Sequence, residues 1–218
     1  LTPNRHGYLW QVRVWDKSGK PSEWSQEQAI RIVGDEMDKS QWIGAITRKD
    51  ARLPEGRFSN AEFKKDYFVE KWSTVDTLSS KSIILRKEFS NGGKTITDAV
   101  VYVSGMGHYE MLINGKKVGD SMFAPLCSEY SKTIYYNTYD VTSLLNKDGN
   151  AINVLLGNGF FNVQRGDRYS KLMTSFGAPQ MTMRMEINYS DGTSKTIVSD
   201  GSWKYALSPV TFNSIYGG

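Results

Sequence analysis

Tyr109-Glu110-Met111-Leu112-Ile113-Asn114-Gly115 decides the reading of this 218-residue chain. Tyr109, Met111 and Ile113 fall on one face of an extended segment, and His108, Glu110 and Leu112 on the other. That is the period-two pattern of a half-buried β-strand. Asn114-Gly115 between strand sequences is the strongest short-range hairpin signal, because a tight primed turn needs positive φ at both central residues. On the N-terminal side lies a doubly apolar run, Val100-Val101-Tyr102-Val103, ending in a turn at Gly105-Met106-Gly107. On the C-terminal side come Asp140-Val141-Thr142-Ser143-Leu144-Leu145, then Gly149-Asn150-Ala151-Ile152, then Val154 to Phe161.

The remaining chain extends the same theme. Ile83, Leu85 and Phe89 share a strand face, and Asn91-Gly92-Gly93 makes a turn. From Gln180 to Tyr189, Met181, Met183, Met185, Ile187 and Tyr189 alternate with Thr182, Arg184, Glu186 and Asn188, which predicts one buried and one wet face. Asp191-Gly192 returns the chain into Ser194–Ser199, and the last strand begins at Trp203-Lys204-Tyr205. One helical turn is expected, near Thr142–Leu145. Strands at this spacing predict an all-β fold, an antiparallel jelly-roll β-sandwich.

Three segments are expected. Residues 81–218 form the jelly roll, and residues 35–80, with the polar run Thr47–Lys65, form a linker or insertion. Residues 1–34 hold a hairpin in which Tyr8, Trp10, Val12 and Val14 alternate with Leu9, Gln11, Arg13 and Trp15. Asp16 to Pro21 makes its turn, and Glu27 to Val33 its return strand. The spacing of Tyr8, Trp10, Val12, Val14, Trp15, Asp16 and Gly19, followed by Trp24-Ser25, resembles the last two strands of a fibronectin type III module. Trp10, Trp15 and Trp24 are accordingly expected as core of a truncated sandwich rather than as a sugar-stacking platform.

Composition excludes more than it assigns. Hydrophobic content of 39% and charged content of 23% suit a globular domain. No apolar run approaches the ~20 residues of a membrane helix. The net charge of +4 is spread among nearly as many acids as bases, without a basic stripe, so no nucleic-acid partner is expected. Leu1 opens no basic-then-apolar leader, and the chain is expected to be a piece of something longer. The one cysteine, Cys127, excludes an internal disulfide and cannot alone make a thiolate metal site. It leaves the compartment open between periplasmic or extracellular, which is preferred, and cytoplasmic.

No catalytic constellation emerges. Glycoside hydrolysis needs two facing carboxylates, but 23 acidic residues allow any pair to be nominated. Glu110 is expected to be an outward edge residue. His6 and His108 have no metal-ligand spacing, no Gly-x-Ser-x-Gly elbow occurs, and Gly105-Met106-Gly107 precedes no helix, against a dinucleotide loop. Saccharide binding remains, by aromatic faces with planar hydrogen-bonding groups. The candidate is the loop Asn158–Tyr169, with Asn158, Phe161, Arg165, Asp167 and Tyr169 as carbohydrate-binding residues. The alternative gives Gly157 and Gly159 to a tight bend and Phe160 and Phe161 to the core.

The order of these pieces resembles a known family. The stretch from Tyr102 to Asp120, then Pro125, Cys127, Ser128, Glu129, Tyr130, Ser131 and Lys132, then Tyr135 to Leu145, then Gly149 to Asn162, is similar to the amino-terminal β-sandwich of bacterial α-L-rhamnosidases. More loosely, it resembles the galactose-binding-like jelly rolls attached to many glycoside hydrolases. The resemblance implies a non-catalytic accessory part of an enzyme that hydrolyses terminal α-L-rhamnosyl residues with inversion; the alternatives are a free-standing carbohydrate-binding, lectin-like domain and a purely structural interaction module. The acid and base would stand in a carboxy-terminal (α/α)-barrel, and rhamnose-containing glycans or plant polysaccharides would be the partners. It also implies calcium beside the sugar in some members, with Asp120, Asp140 and Asp167 near suitable turns. No calcium loop is recognisable, so no cofactor is assigned.

Overall fold

The computed structural model describes residues 8–30, 37, 39–45, 56–58, 81–163 and 173–215. The chain divides into two compact units, Leu1–Asp38 and Lys39–Gly218.

In the first unit, β1 (Tyr8–Trp10) and β2 (Gln28–Ile30) pair antiparallel, with Tyr8 opposite Ile30. The pairing continues beyond them, because Ser25 and Ser22 donate their amides to the Val12 and Val14 carbonyls, each over 2.8 Å. The same serine hydroxyls accept from the Val12 and Val14 amides. Asp16 Oδ1 ties the turn by accepting from the Ser18 and Lys20 amides. Trp15 and Trp24 do not close a core here. Both are exposed, and they hold the Arg13 guanidinium between them, 4.8 and 4.7 Å from their ring centres.

In the second unit the strands are β3 (Gly56–Phe58), β4 (Ile83–Ser90), β5 (Ile96–Met106), β6 (His108–Ile113) and β7 (Lys116–Lys117). They continue with β8 (Asn137–Asp140), β9 (Gly149–Gly157), β10 (Asn162–Val163), β11 (Met173–Ser175), β12 (Gln180–Tyr189), β13 (Ser194–Val198) and β14 (Lys204–Leu207). One sheet has the order β13-β12-β5-β8, a second β14-β4-β9-β6-β7, and a small third β10-β11-β3. The chain crosses between the two large sheets from β4 to β5, at Gly107 from β5 to β6, and again from β7 to β8 and from β8 to β9. Neighbouring strands are antiparallel, and the fold is a jelly-roll β-sandwich.

The core lies between the two large sheets. Ala99, Val101 and Val103 of β5 and Met181, Met183, Met185 and Ile187 of β12 meet Ile83 and Leu85 of β4. Tyr109, Met111 and Ile113 of β6 and Ile152, Val154 and Leu156 of β9 complete the contact. The Asn114-Gly115 turn is as the residues demand, with φ of 52° and 79° and Ile113 opposite Lys116. Among the described residues the one helical turn is 3-10, Thr142–Leu144. Asp140 Oδ1 accepts the Thr142 amide just ahead of it, over 2.9 Å.

Two expectations need correction. The second face of β12 is not wet throughout, since Thr182 and Arg184 are buried. The segment at 40–43 covers part of it. Ile43 exchanges both backbone bonds with Met181, Thr182 Oγ1 donates to Ser40 Oγ, and Ser199 Oγ donates to the Gln41 carbonyl. Arg184 Nη2 donates to Glu186 Oε1 there, over 2.6 Å. The turn expected at Gly105-Met106-Gly107 is narrower. Strand β5 runs to Met106, and Gly107 alone reverses the chain at φ +118°, pressed against the Gly157 carbonyl where no Cβ fits.

Candidate functional site

The outer face of the five-stranded sheet carries a cleft of about 420 Å³. Its floor follows from strand alternation. Tyr109, Met111, Val154 and Leu156 point into the core, so His108, Glu110, Leu155 and Gly157 face outward, with His108 opposite Gly157 and Glu110 opposite Leu155. One wall is the loop Ser121–Phe123, which leaves the hairpin after Gly119. The other is an irregular strap after β14, from Val210 to Ile215.

His108 lines the cleft between two aromatic rings. Its ring lies 5.6 Å from the Phe123 ring and 6.0 Å, edge to face, from Phe160. Desolvation pushes the imidazole below its ordinary value, which favours the neutral ring over the imidazolium. Gly159, at φ +52°, is what allows this approach, because a Cβ there would stand 2.8 Å from the His108 amide nitrogen. Phe123 has φ +55° and is 64% exposed. Across the floor, Lys117 Nζ lies 2.9 Å from Glu110 Oε2, with both side chains partly exposed.

The strap is anchored at Asn213. Its side-chain Oδ1 accepts the Asn158 amide over 2.6 Å, and its carbonyl accepts Asn158 Nδ2 over 3.1 Å. Asn162 Nδ2 donates to Asn158 Oδ1 over 3.0 Å. Asn158 therefore sits at the seam of β9, the strap and β10, and it is 1% exposed. Phe161 is buried as well, edge to face with Tyr130 at 5.1 Å and tilted on Phe176 at 5.9 Å. Of the five residues read as carbohydrate-binding, these two stand within one turn of β9 with their side chains engaged internally. Arg165, Asp167 and Tyr169 lie outside the described residues.

Glu110 points outward as expected, but into this cleft. His108, Phe123 and Asn213 escaped sequence reasoning. The usable signal was Gly157 and Gly159 flanking Asn158, since paired glycines at a strand end mark a close approach of other chain. Of the acids named for calcium, Asp140 accepts the Thr142 amide and Asp120 is exposed, while Asp167 lies outside the described residues. Among the described residues no three His, Cys, Asp or Glu side chains are placed to hold a metal ion.

Residues 94–218 match the family model of the alpha-L-rhamnosidase N-terminal domain. An alpha-L-rhamnosidase of Formosa agariphila is 37% identical over 217 residues, covering 97% of this chain and 22% of the relative. The structure of alpha-L-rhamnosidase from Dictyoglomus thermophilum aligns with a TM-score of 0.66 at 28% identity, over 97% of this chain and 22% of the other. A Streptomyces avermitilis alpha-L-rhamnosidase, crystallised with L-rhamnose, shares the fold with a TM-score of 0.71 at 18% identity, over 98% of this chain and 34% of the other. The chain spans about a fifth of the length of the curated relatives it matches most fully. With the family model matched over more than half of its residues, the chain belongs to the alpha-L-rhamnosidase N-terminal domain family.

Proposed function

We propose that this chain is the non-catalytic amino-terminal accessory region of a glycoside hydrolase that removes terminal α-L-rhamnosyl residues with inversion. The observation that carries the reading is the family match together with the fifth of its relatives' length that the chain spans. Hydrolysis with inversion takes a general acid and a general base about 6.5–9.5 Å apart across the sugar. In this reading both belong to the remaining four-fifths of the parent. Glu110, the carboxylate on the cleft floor, is tied to Lys117, which suits a structural or ligand-holding role better than proton transfer.

The accessory role has two parts. The rigid sandwich supports the catalytic part, and it offers saccharide contacts on the segment that leaves β9. There the engaged pair Asn158 and Phe161 leads into the stretch bearing Arg165, Asp167 and Tyr169, the planar polar and aromatic groups that hold sugars. Rhamnose-containing glycans are the partner. The test is twofold. The purified chain should release no phenol from an aryl rhamnoside, and calorimetric titration with L-rhamnose, with and without calcium, should give saturable heat that galactose and galacturonate do not. Measurable turnover by the chain would overturn the non-catalytic reading, and silence at millimolar rhamnose would overturn the sugar contacts.

A further inference from the structure

The hairpin of the first unit carries a charge that its own residues leave unanswered. Arg13 is half-buried, with its guanidinium 4.8 Å from the Trp15 ring centre and 4.7 Å from that of Trp24. Its Nε is shut off from solvent and has no hydrogen-bond partner. Among the described residues none forms an ion pair with it, although Asp16 and Glu23 adjoin Trp15 and Trp24 in the sequence. Asp16 turns Oδ1 to the Ser18 and Lys20 amides instead. The indoles answer only the faces of the guanidinium. Its planar fork of N–H donors matches a carboxylate, which it takes bidentately.

The backbone holds this group in place. Arg13 lies between Val12 and Val14, whose amides and carbonyls are each tied to Ser25 and Ser22. Gln11 Nε2 adds a bond to the Ser25 carbonyl, over 3.0 Å. A hairpin tied in this way has little left to order when a ligand arrives. Trp15 and Trp24 are 58% and 54% exposed, so they offer apolar surface outward while they hold the cation.

Whatever covers this face has to bring an anion. A neutral sugar or an apolar protein layer would bury the guanidinium without a partner, and an unpaired buried charge is strongly disfavoured. A uronic acid meets both demands on one ring. Its carboxylate fits the fork, its C–H faces lie on indole, and its hydroxyls stay in water. Two indoles about one cation suit consecutive units of a saccharide chain better than a single small acid. The net charge of +4 adds attraction for such a polyanion.

We infer that the hairpin face of Arg13, Trp15 and Trp24 binds an acidic saccharide chain, with a uronate carboxylate on the guanidinium and the sugar rings on the exposed indoles. The saccharide class rests on the accessory reading, and the site is a second one, apart from the rhamnose contacts proposed after β9.

NMR on the 218-residue chain tests it, read at the Trp15 and Trp24 indole N–H and the Arg13 Nε–H resonances. Hexagalacturonate should shift them saturably. Its fully methyl-esterified form, the same chain without charge, should bind about tenfold more weakly, as loss of a charge-assisted pair requires. Free galacturonate reaches one indole only and should give no saturable heat. Arg13→Lys keeps the charge but loses the fork, and should weaken hexagalacturonate about tenfold as well. Equal affinity for the ester would overturn the inference, and that comparison needs no variant to fold. Undiminished binding by Arg13→Lys would overturn it too, since net charge alone would then suffice. Hexa-aspartate bound as tightly as hexagalacturonate would assign the face to an acidic protein segment and strike the saccharide. L-Rhamnose heat with hexagalacturonate silent would sink this inference alone. Hexagalacturonate bound with L-rhamnose silent would uphold it and remove the contacts after β9.

Discussion

The backbone amide of Asn158 donates to the side-chain Oδ1 of Asn213 over 2.6 Å, and Gly157 is what lets the strap come that near. A Cβ on Gly157 would stand 3.1 Å from that same oxygen. One wall of the cleft is therefore held by a carboxamide docked on the end of a buried strand.

Replacing Asn213 by Ala removes the acceptor of that amide. Asn158 is buried, so water replaces the lost bond poorly, and an unsatisfied buried amide costs ~1–3 kcal/mol. Stability should fall by that order in a denaturant titration. Hydrogen exchange should rise first at Asn158 and along the strap, while β12 stays protected. An unchanged exchange rate at Asn158 would show that the strap is held by its apolar residues alone.

Gly119 tests a different constraint. Its φ is +69°, and a Cβ there would collide with the Tyr139 ring, which packs against the core from β8. Gly92 has a similar φ, +62°, with open space around it. Gly92→Ala should cost ~1 kcal/mol from backbone strain alone. Gly119→Ala must also displace the ring and should cost ~2–3 kcal/mol. Equal midpoints for the two variants would mean that Tyr139 moves aside freely.

The three methionines of β12 face the opposing sheet with no exposure at all. Met185→Ala should leave a cavity and lose ~2–5 kcal/mol. Met185→Leu, close in volume, should lose less than ~1.5 kcal/mol. Similar losses for both, read from thermal unfolding, would indicate that the sheets collapse onto the smaller residue.

What the sequence made legible was whatever obeys a local rule. Alternation placed Tyr109, Met111 and Ile113 in the core and sent Glu110 outward, and Asn114-Gly115 reported its own positive φ values. The limits have a physical origin. Thr182 and Arg184 read as wet because their cover, the segment near Ser40–Ile43, lies about 140 positions away in the chain. The strap Val210–Ile215 has no periodicity, so nothing local marks it as a wall. Phe123 looks like any loop aromatic, because a left-handed φ at a non-glycine residue is imposed by its surroundings rather than by its own preference. Asn158 stood out as a polar loop residue, but whether such a group faces a ligand or another strand depends on a partner 55 positions downstream.

His108 should make the stability of the sandwich depend on pH. Burial between Phe123 and Phe160 disfavours the imidazolium, so its folded pKa lies below the ordinary value of 6.5. The unfolded chain then binds more protons as the pH drops through 6.5, and stability must fall in that direction. The contribution is complete above that value and is lost progressively as pH falls toward the folded pKa. Glu110 and Lys117 share the cleft, but they pair with each other. Asp191, held down to about 2 by hydrogen bonds from Thr193 and by Lys94, acts only in a separate window, about pH 2–4. Melting temperatures at pH 8.0, 6.5 and 5.5 should therefore decline for the parent chain and decline less for His108→Gln. Identical slopes for the two proteins would mean that the imidazole reaches water on protonation.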